Sequence, residues 1–290
     1  MSKKWVYLLM LSLVWGSSFI LIKKGLLGLT PLQLGALRII ISGFILFTAG
    51  FKRLKNLTKK DIKWLIISGF LGTFFPAFLF AYAETEIDSA VASILNSLVP
   101  INTIIIGFVA FKMFSSKKQI IGVVIGFLGT LMLILNGASL NPDQNYLYAI
   151  MVIIATVMYA ASVNIIKRHL QNIPPVTIAV GNFTAIMIPA FIVLLYSDFF
   201  TSEVLEGVHF KMSLFYIVLL SLFGTAIAKI FFNKLVQMST PVFASSVTYL
   251  MPIVAVVWGL LDGELFNFWQ AIATCVILIG VYLSNTKRIG

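Results

Sequence analysis

Ten apolar runs, most of them close to 20 residues long, leave almost no room in this chain for a water-soluble core. They cover about residues 5–23, 31–51, 62–82, 89–111, 119–136, 145–166, 175–196, 212–234, 241–261 and 268–285. A helix that crosses the hydrocarbon of a bilayer needs about 20 apolar residues. The gaps are short, so no soluble domain is expected. Composition agrees: 60% of the 290 residues are hydrophobic and 11% charged, against about 45–50% and 25% in soluble domains. The expected fold is an all-α polytopic membrane protein with ten transmembrane helices. Lys3 and Lys4 followed by WVYLLMLSLVWGSSFILI look like a signal peptide. The apolar part is long for one and no A-x-A site follows, so it is read as a retained first span. Cys275 is the single cysteine and has no intrachain partner for a disulfide; it reads as a small hydrophobe.

The formal charge of +11 could suggest nucleic acid, but its distribution argues against that. Lysines and arginines sit in short clusters between apolar runs. With the N-terminus inside, 16 of the 21 basic residues fall on the inner side, from Lys3 and Lys4 through Lys59, Lys117 and Lys167 to Lys287 and Arg288. That bias sets orientation in polytopic proteins, and it places both termini in the cytoplasm. The acids agree: Glu84, Glu86, Asp88, Asp143, Asp262 and Glu264 fall outside with three others, and Asp61 inside. Two cations remain at membrane depth, Arg38 and Lys229. No acid is left for the membrane interior.

The second half rewrites the first. At an offset of 152, GFLGTFFPAFLF (69–80) matches SLFGTAIAKIFF (221–232), so Gly72 falls on Gly224, Thr73 on Thr225 and Phe80 on Phe232. The same offset sets Ser93 on Ser245 and Pro100 on Pro252. At an offset of 144, Trp15 falls on Tyr159, Ser18 on Ser162 and Pro31 on Pro175. Each half, 1–140 and 141–290, holds five spans. An odd number makes the halves cross in opposite senses, as two inverted five-helix repeats. Inverted repeats are typical of secondary transporters, whose substrate sites lie near the midplane where the repeats meet.

LVWGSSFILIKKGL near the start, LRIIISG in the second span, and the paired ASILNSLVPI and SSVTYLMPIV resemble the EamA family of the drug/metabolite transporter superfamily. The resemblance covers nearly the whole chain. It implies a ten-helix bundle whose central cavity is built from spans 1–4 and 6–9, with spans 5 and 10 peripheral. It also implies efflux of amino acids or other small polar or amphipathic metabolites. Some relatives take up vitamins, so an uptake carrier for vitamins or nucleosides stays open. The residues themselves agree on span 5, where Gly122, Gly126 and Gly129 form a small-residue face for close helix packing.

Candidate substrate-binding residues follow from helical spacing, since positions three and four apart share a face. Span 8 carries Thr225, Lys229 and Asn233 in one stripe. Span 4 carries Ser93, Asn96 and Ser97 before Pro100, and span 9 carries Ser245, Thr248 and Tyr249 before Pro252. Such groups line a cavity or glue helices together. Trp15 and Tyr159 offer either pocket aromatics or packing. Arg38 and Lys229 lie within about 10 Å of a membrane edge by the 1.5 Å rise per residue, so each either faces the cavity or snorkels.

Other classes fit less well. His169 and His209 fall in loops on opposite sides, and the interior offers no nucleophile with a base and no metal cluster, so an enzyme is not expected. A channel or facilitative pore would need a ring of charges or carbonyls; two unlike halves suit a carrier better. The expected function is secondary transport by alternating access. The partners are a small-molecule substrate and membrane lipid, with no nucleic acid, cofactor or metal. A monomer is compatible with this, and nothing in the sequence fixes the oligomeric state.

Overall fold

The computed structural model describes residues 3–87, 89–135, 145–261 and 268–284, and among these every regular element is helical. The expected boundary at 140/141 lies outside the described residues, as do Asp88, Asp143, Asp262, Glu264, Lys287 and Arg288. The first rod is α1 (Lys3–Gly16) and α2 (Ser18–Gly25). The second, α3 (Pro31–Gly50), starts on a capping box: Thr30 Oγ1 accepts from the Gln33 N–H, and Gln33 accepts from the Thr30 N–H. The third begins with the same device at Thr58 and Asp61. It runs from α4 (Lys59–Gly69) through a π-helical turn at Phe70–Phe74 into α5 (Phe75–Ala83). Next come α6 (Ser89–Asn96), α7 (Val99–Phe111), α8 (Lys117–Leu135), α9 (Ala149–His169), α10 (Pro175–Leu195) and the short α11 (Ser202–Leu205). Then α12 (Phe210–Leu219), a π-helical segment at Leu220–Ile227 and α13 (Ala228–Met238) make one continuous rod. The chain closes with α14 (Pro241–Ser245), α15 (Val247–Leu261) and α16 (Phe268–Ser284).

Seven of these rods are long and apolar enough to cross a membrane: Lys3–Gly25, Pro31–Asn56, Lys59–Ala83, Ala92–Phe111, Ala149–His169, Pro175–Leu195 and Phe210–Met238. The chain is a polytopic membrane protein. The remaining helices α8, α14–α15 and α16 fall on the other three apolar runs. Phe44, Val109, Ile188 and Tyr282 are exposed on the outside of the bundle, an arrangement that suits lipid and not water.

Five rods depart from a uniform α-helix. The first breaks at Ser17, the fourth after Asn96 and the ninth at Ser246, and the third and eighth contain π-helix. Prolines explain part of this. Pro100 sits in the first turn of α7 and Pro252 inside α15, each without an N–H for the carbonyl four residues back. Serines at the breaks satisfy local carbonyls: Ser17 Oγ donates to Leu13 O (2.9 Å), Ser97 Oγ to Ile94 O (2.5 Å) and Ser246 Oγ to Phe243 O (2.7 Å). In a bilayer no water could do so.

Close contacts lock the rods. Asn182 of α10 donates to Leu65 O (2.6 Å) and to Ser68 Oγ (2.8 Å) of α4. Leu8 and Leu11 of α1, Ile166 of α9, Leu235 of α13 and Phe243 of α14 are fully buried in one apolar core. The glycine face of α8 packs on α16. A Cβ at Gly122 would stand 2.7 Å from Gly280 O, and one at Gly129 2.8 Å from Ile277 N. Gly122→Val should therefore force α8 off α16. Overpacking of this kind costs about 1–3 kcal/mol, so the detergent-solubilised protein should melt several degrees lower. An unchanged melting temperature would mean that the two helices do not pack as described.

Candidate functional site

A cavity of about 120 Å³ opens at the centre of the bundle. Trp15, Ser18, Phe19 and Ile22 enter from α1–α2, Arg38 from α3, and Gly72, Thr73, Ala77 and Phe80 from the first π turn and α5. Asn96 and Val99 come from α6–α7, and Tyr159, Ser162 and Val163 from α9. Gly224, Thr225, Lys229 and Phe232 come from the second π segment and α13, and Ser245, Val247, Thr248 and Met251 from α14–α15. Five of the lining residues are aromatic and nine others are polar, two of these being cations.

The π turns supply the acceptors that hold those groups. In an α-helix Gly72 O would accept from residue 76, but Pro76 has no N–H, so this carbonyl is released to the cavity. Lys229 Nζ donates to it at 2.5 Å, and Lys229 is only 8% exposed. In the second π segment the Ala228 N–H donates to Phe223 O, five residues back, bypassing Gly224 O. That carbonyl accepts from Trp15 Nε1 at 2.9 Å. Thr225 Oγ1 donates to Leu220 O (3.0 Å), also five back, and accepts from Arg38 Nε (2.8 Å). Arg38 feels the charges of both Lys229 and Glu84. Two acceptors face the cavity unused: Thr73 Oγ1 and Asn96 Oδ1 are buried and have no hydrogen-bond partner. Among the described residues no group of His, Cys, Asp or Glu is placed to hold a metal.

The lining is built in pairs. At offsets of 144 or 152, Trp15 matches Tyr159, Ser18 Ser162, Phe19 Val163, Gly72 Gly224, Thr73 Thr225, Ala77 Lys229, Phe80 Phe232, Asn96 Thr248 and Val99 Met251. Eighteen of the 22 lining residues fall in these nine pairs. The two π segments overlap at the same offset, since 70–74 maps onto 222–226.

Eight of the twelve candidates line the cavity: Lys229, Thr225, Trp15, Tyr159, Asn96, Ser245, Thr248 and Arg38. Both cations face it. Four candidates do not. Asn233 does not continue the span 8 stripe, because positions four apart drift by about 40° per step; its amide instead donates to Pro175 O at 3.3 Å. Ser93 is buried but is not among the lining residues, and Ser97 is spent on the break in its own rod. Tyr249 points the other way, with its hydroxyl on Val123 O (2.8 Å) and its ring against Gly126 of α8. Glu84 lies in the turn after α5, as its place at the end of a span implies, but it is only 6% exposed.

The sequence profile of the EamA-like transporter family matches residues 3–135 and again 146–286. The chain belongs to the EamA-like transporter family. Among its relatives in that family, the "Uncharacterized inner membrane transporter YedA" of Escherichia coli K12 is 26% identical over 280 residues, which span 94% of this chain and 87% of YedA. An "Uncharacterized transporter" of Archaeoglobus fulgidus is 25% identical over 289 residues, covering 99% and 100%. The "Probable amino-acid metabolite efflux pump" of Salmonella typhimurium is 32% identical over 178 residues, 60% of this chain and 57% of the pump. A solved crystal structure has the same fold, with a TM-score of 0.73 at 17% identity over 98% of this chain and 96% of that one.

Sequence reasoning missed Ser18, Gly72, Thr73, Ser162 and Gly224, although each is the repeat partner of another lining residue. Gly72 carried a second signal, the proline four residues on. In this EamA-family cavity, Thr73→Cys in a Cys275→Ser background should react with a water-soluble maleimide. Asn233→Cys should not. Equal reactivity at both positions would remove the distinction drawn here between lining and packing.

Proposed function

We propose that this protein is a secondary transporter that binds a small amphipathic metabolite carrying a carboxylate in the central cavity and exports it across the bacterial inner membrane. The reading takes the ten apolar runs as ten spans in two inverted five-span halves, 1–140 and 141–290. The Lys/Arg bias puts both termini in the cytoplasm. The observation that carries it is the paired lining of the cavity, crossed by hydrogen bonds between the halves: Lys229 to Gly72 O, Trp15 to Gly224 O and Arg38 to Thr225 Oγ1. A site shared between inverted halves is where alternating access needs its substrate.

The chemistry of the wall supports the substrate class. Arg38 and Lys229 favour an anionic group, and no acid is among the lining residues. Trp15, Phe19, Phe80 and Phe232 favour an apolar or aromatic body, while Thr73 Oγ1 and Asn96 Oδ1 accept from a ligand O–H or N–H. An amino acid or a hydroxy acid has this combination. The name of the Salmonella relative supports export, and that of YedA supports the inner membrane.

The test is a proteoliposome screen with radiolabelled amino acids, hydroxy acids and nucleosides. Uptake of an anionic or zwitterionic solute should saturate and show counterflow. Non-saturating flux without counterflow would mean a pore. Lys229→Met should lower transport at least about tenfold, the loss of one charged hydrogen bond of about 1.5–3 kcal/mol, while the protein still inserts and purifies as a folded species. Lys229→Arg keeps the charge but not the fit to Gly72 O, and should also be impaired. Wild-type rates in Lys229→Met would remove Lys229 from the mechanism.

A further inference from the structure

One buried ionisable group takes no part in the cavity as described. Glu84 follows the last helical residue of α5, between the spans that end at Ala83 and begin at Ala92. It is 6% exposed. Its Oε2 accepts from Ser89 Oγ at 3.1 Å, and its Oε1 is buried with no hydrogen-bond partner. Two ionisable groups bear on it, and a third bears on one of these. Lys23 of α2 and Arg38 of α3 act on it directly, and Tyr159 of α9 acts on the same Arg38. Glu86 lies in its own turn.

If Glu84 only clipped the α5–α6 turn, the Ser89 bond would suffice and a neutral amide would serve. Instead a carboxyl sits buried with one oxygen unsatisfied, at the end of α5, which packs against the α3 helix that carries the cavity-lining guanidinium of Arg38. A charged carboxylate is costly in such a place, whereas the neutral acid is not. We propose that Glu84 is a proton-binding site coupled to the cavity through Arg38, so that a proton on Glu84 and an anion beside Arg38 favour each other. The proton comes from bulk water and converts carboxylate to carboxylic acid. Arg38 then no longer shares its charge with Glu84, and that charge is available to an anion in the cavity. This goes beyond the transport reading and rests on it only for the cavity's being the substrate site.

The direction of the pH effect follows. Burial raises the Glu84 carboxyl to about 8, against the lowering influence of Ser89, Lys23 and Arg38. Below about 8 the group is neutral and the attraction of the cavity for anions is level. Above it the carboxylate forms, and anion attraction falls. Lys229 and Tyr159 line the same cavity and are ionisable, so only the component removed by Glu84→Gln belongs to Glu84.

Infrared titration of the full chain in detergent tests the site without any substrate. A carboxyl C=O band should fade as pH rises through about 8, be absent in Glu84→Gln, and move to higher pH in Arg38→Gln, where a lowering charge is gone. Lys23→Gln should move it in the same direction. No band sensitive to Glu84→Gln overturns the proton site, and a band that Arg38→Gln leaves unmoved overturns the coupling. A second measurement covers the case in which Arg38→Gln does not fold. In a Cys275→Ser, Thr73→Cys background, thiosulfonate reagents bearing a sulfonate or a trimethylammonium group are compared. Their rate ratio cancels the ionisation of the thiol. The ratio should fall about tenfold as pH rises through the Glu84 titration, the effect of one unit of coupling, and Glu84→Gln should abolish the fall. A fall of the same size in Glu84→Gln would assign it to Lys229 or Tyr159 and overturn the coupling. Absent transport of every solute screened, with the infrared result intact, would fail the function and leave the proton site standing.

Discussion

Inside a bilayer an ammonium group such as that of Lys229 is tolerated only where protein replaces the water it has lost. A lysine at the centre of a spanning helix costs about 2.5–3.5 kcal/mol even on lenient scales. Here the replacement is one backbone carbonyl, Gly72 O, 2.5 Å away on another rod. That carbonyl is free because Pro76 removes its helical donor and a π turn opens the backbone around it. Much of the site follows from this arrangement. Gly72 has no side chain because a Cβ there would strike Ser162 Oγ and stand 3.1 Å from Lys229 Nζ. Ser162 in turn donates to Ser68 O at 3.0 Å, and Ser68 is held by Asn182. A chain of small residues and local hydrogen bonds thus fixes where one charge can sit.

The same logic gives the cavity its capacity for change. Lys229, Trp15 and Arg38 each take an acceptor from the opposite half of the chain. A carboxylate entering the cavity competes for the Lys229 and Arg38 donors, and so acts on bonds that join the halves. A ligand shifts a conformational equilibrium only by the difference in its affinity for the two states. On the proposed reading that difference arises here, because binding the substrate and loosening the cross-half contacts are the same event.

The polytopic helical fold was legible because twenty-residue apolar runs admit few other solutions, and the seven long rods fall within a few residues of the runs that mark them. The repeat was legible in the letters, and it reappears as nine pairs around the cavity. What stayed hidden depends on rotation about a helix axis and on backbone register. Spacing by four drifts by about 40° per step, which carries Asn233 onto Pro175 and away from the axis. Tyr249 shared a nominal face with Ser245, but the break at Ser246 turns it toward Val123. The burial of Glu84 was not legible, because position along the chain says that a residue ends a span, while only packing says whether that end is dry.

The pairs also separate what the two halves share from what they do not. Shared features are those that shape backbone: Gly72 with Gly224, Thr73 with Thr225, Pro100 with Pro252. The charges are not shared. Lys229 faces Ala77 across the repeat, and Arg38 corresponds to Asn182, which is committed to α4. Repeated backbone features allow two halves to exchange equivalent shapes, as alternating access requires. Unrepeated charges make those two shapes unequal in energy for a charged substrate. An anion would meet Lys229 and Arg38 through groups that belong to different halves, so its affinity must differ between the two exchanged shapes. On the proposed reading the repeated backbone supplies the motion, and the asymmetry of two buried cations supplies its preference for one kind of cargo.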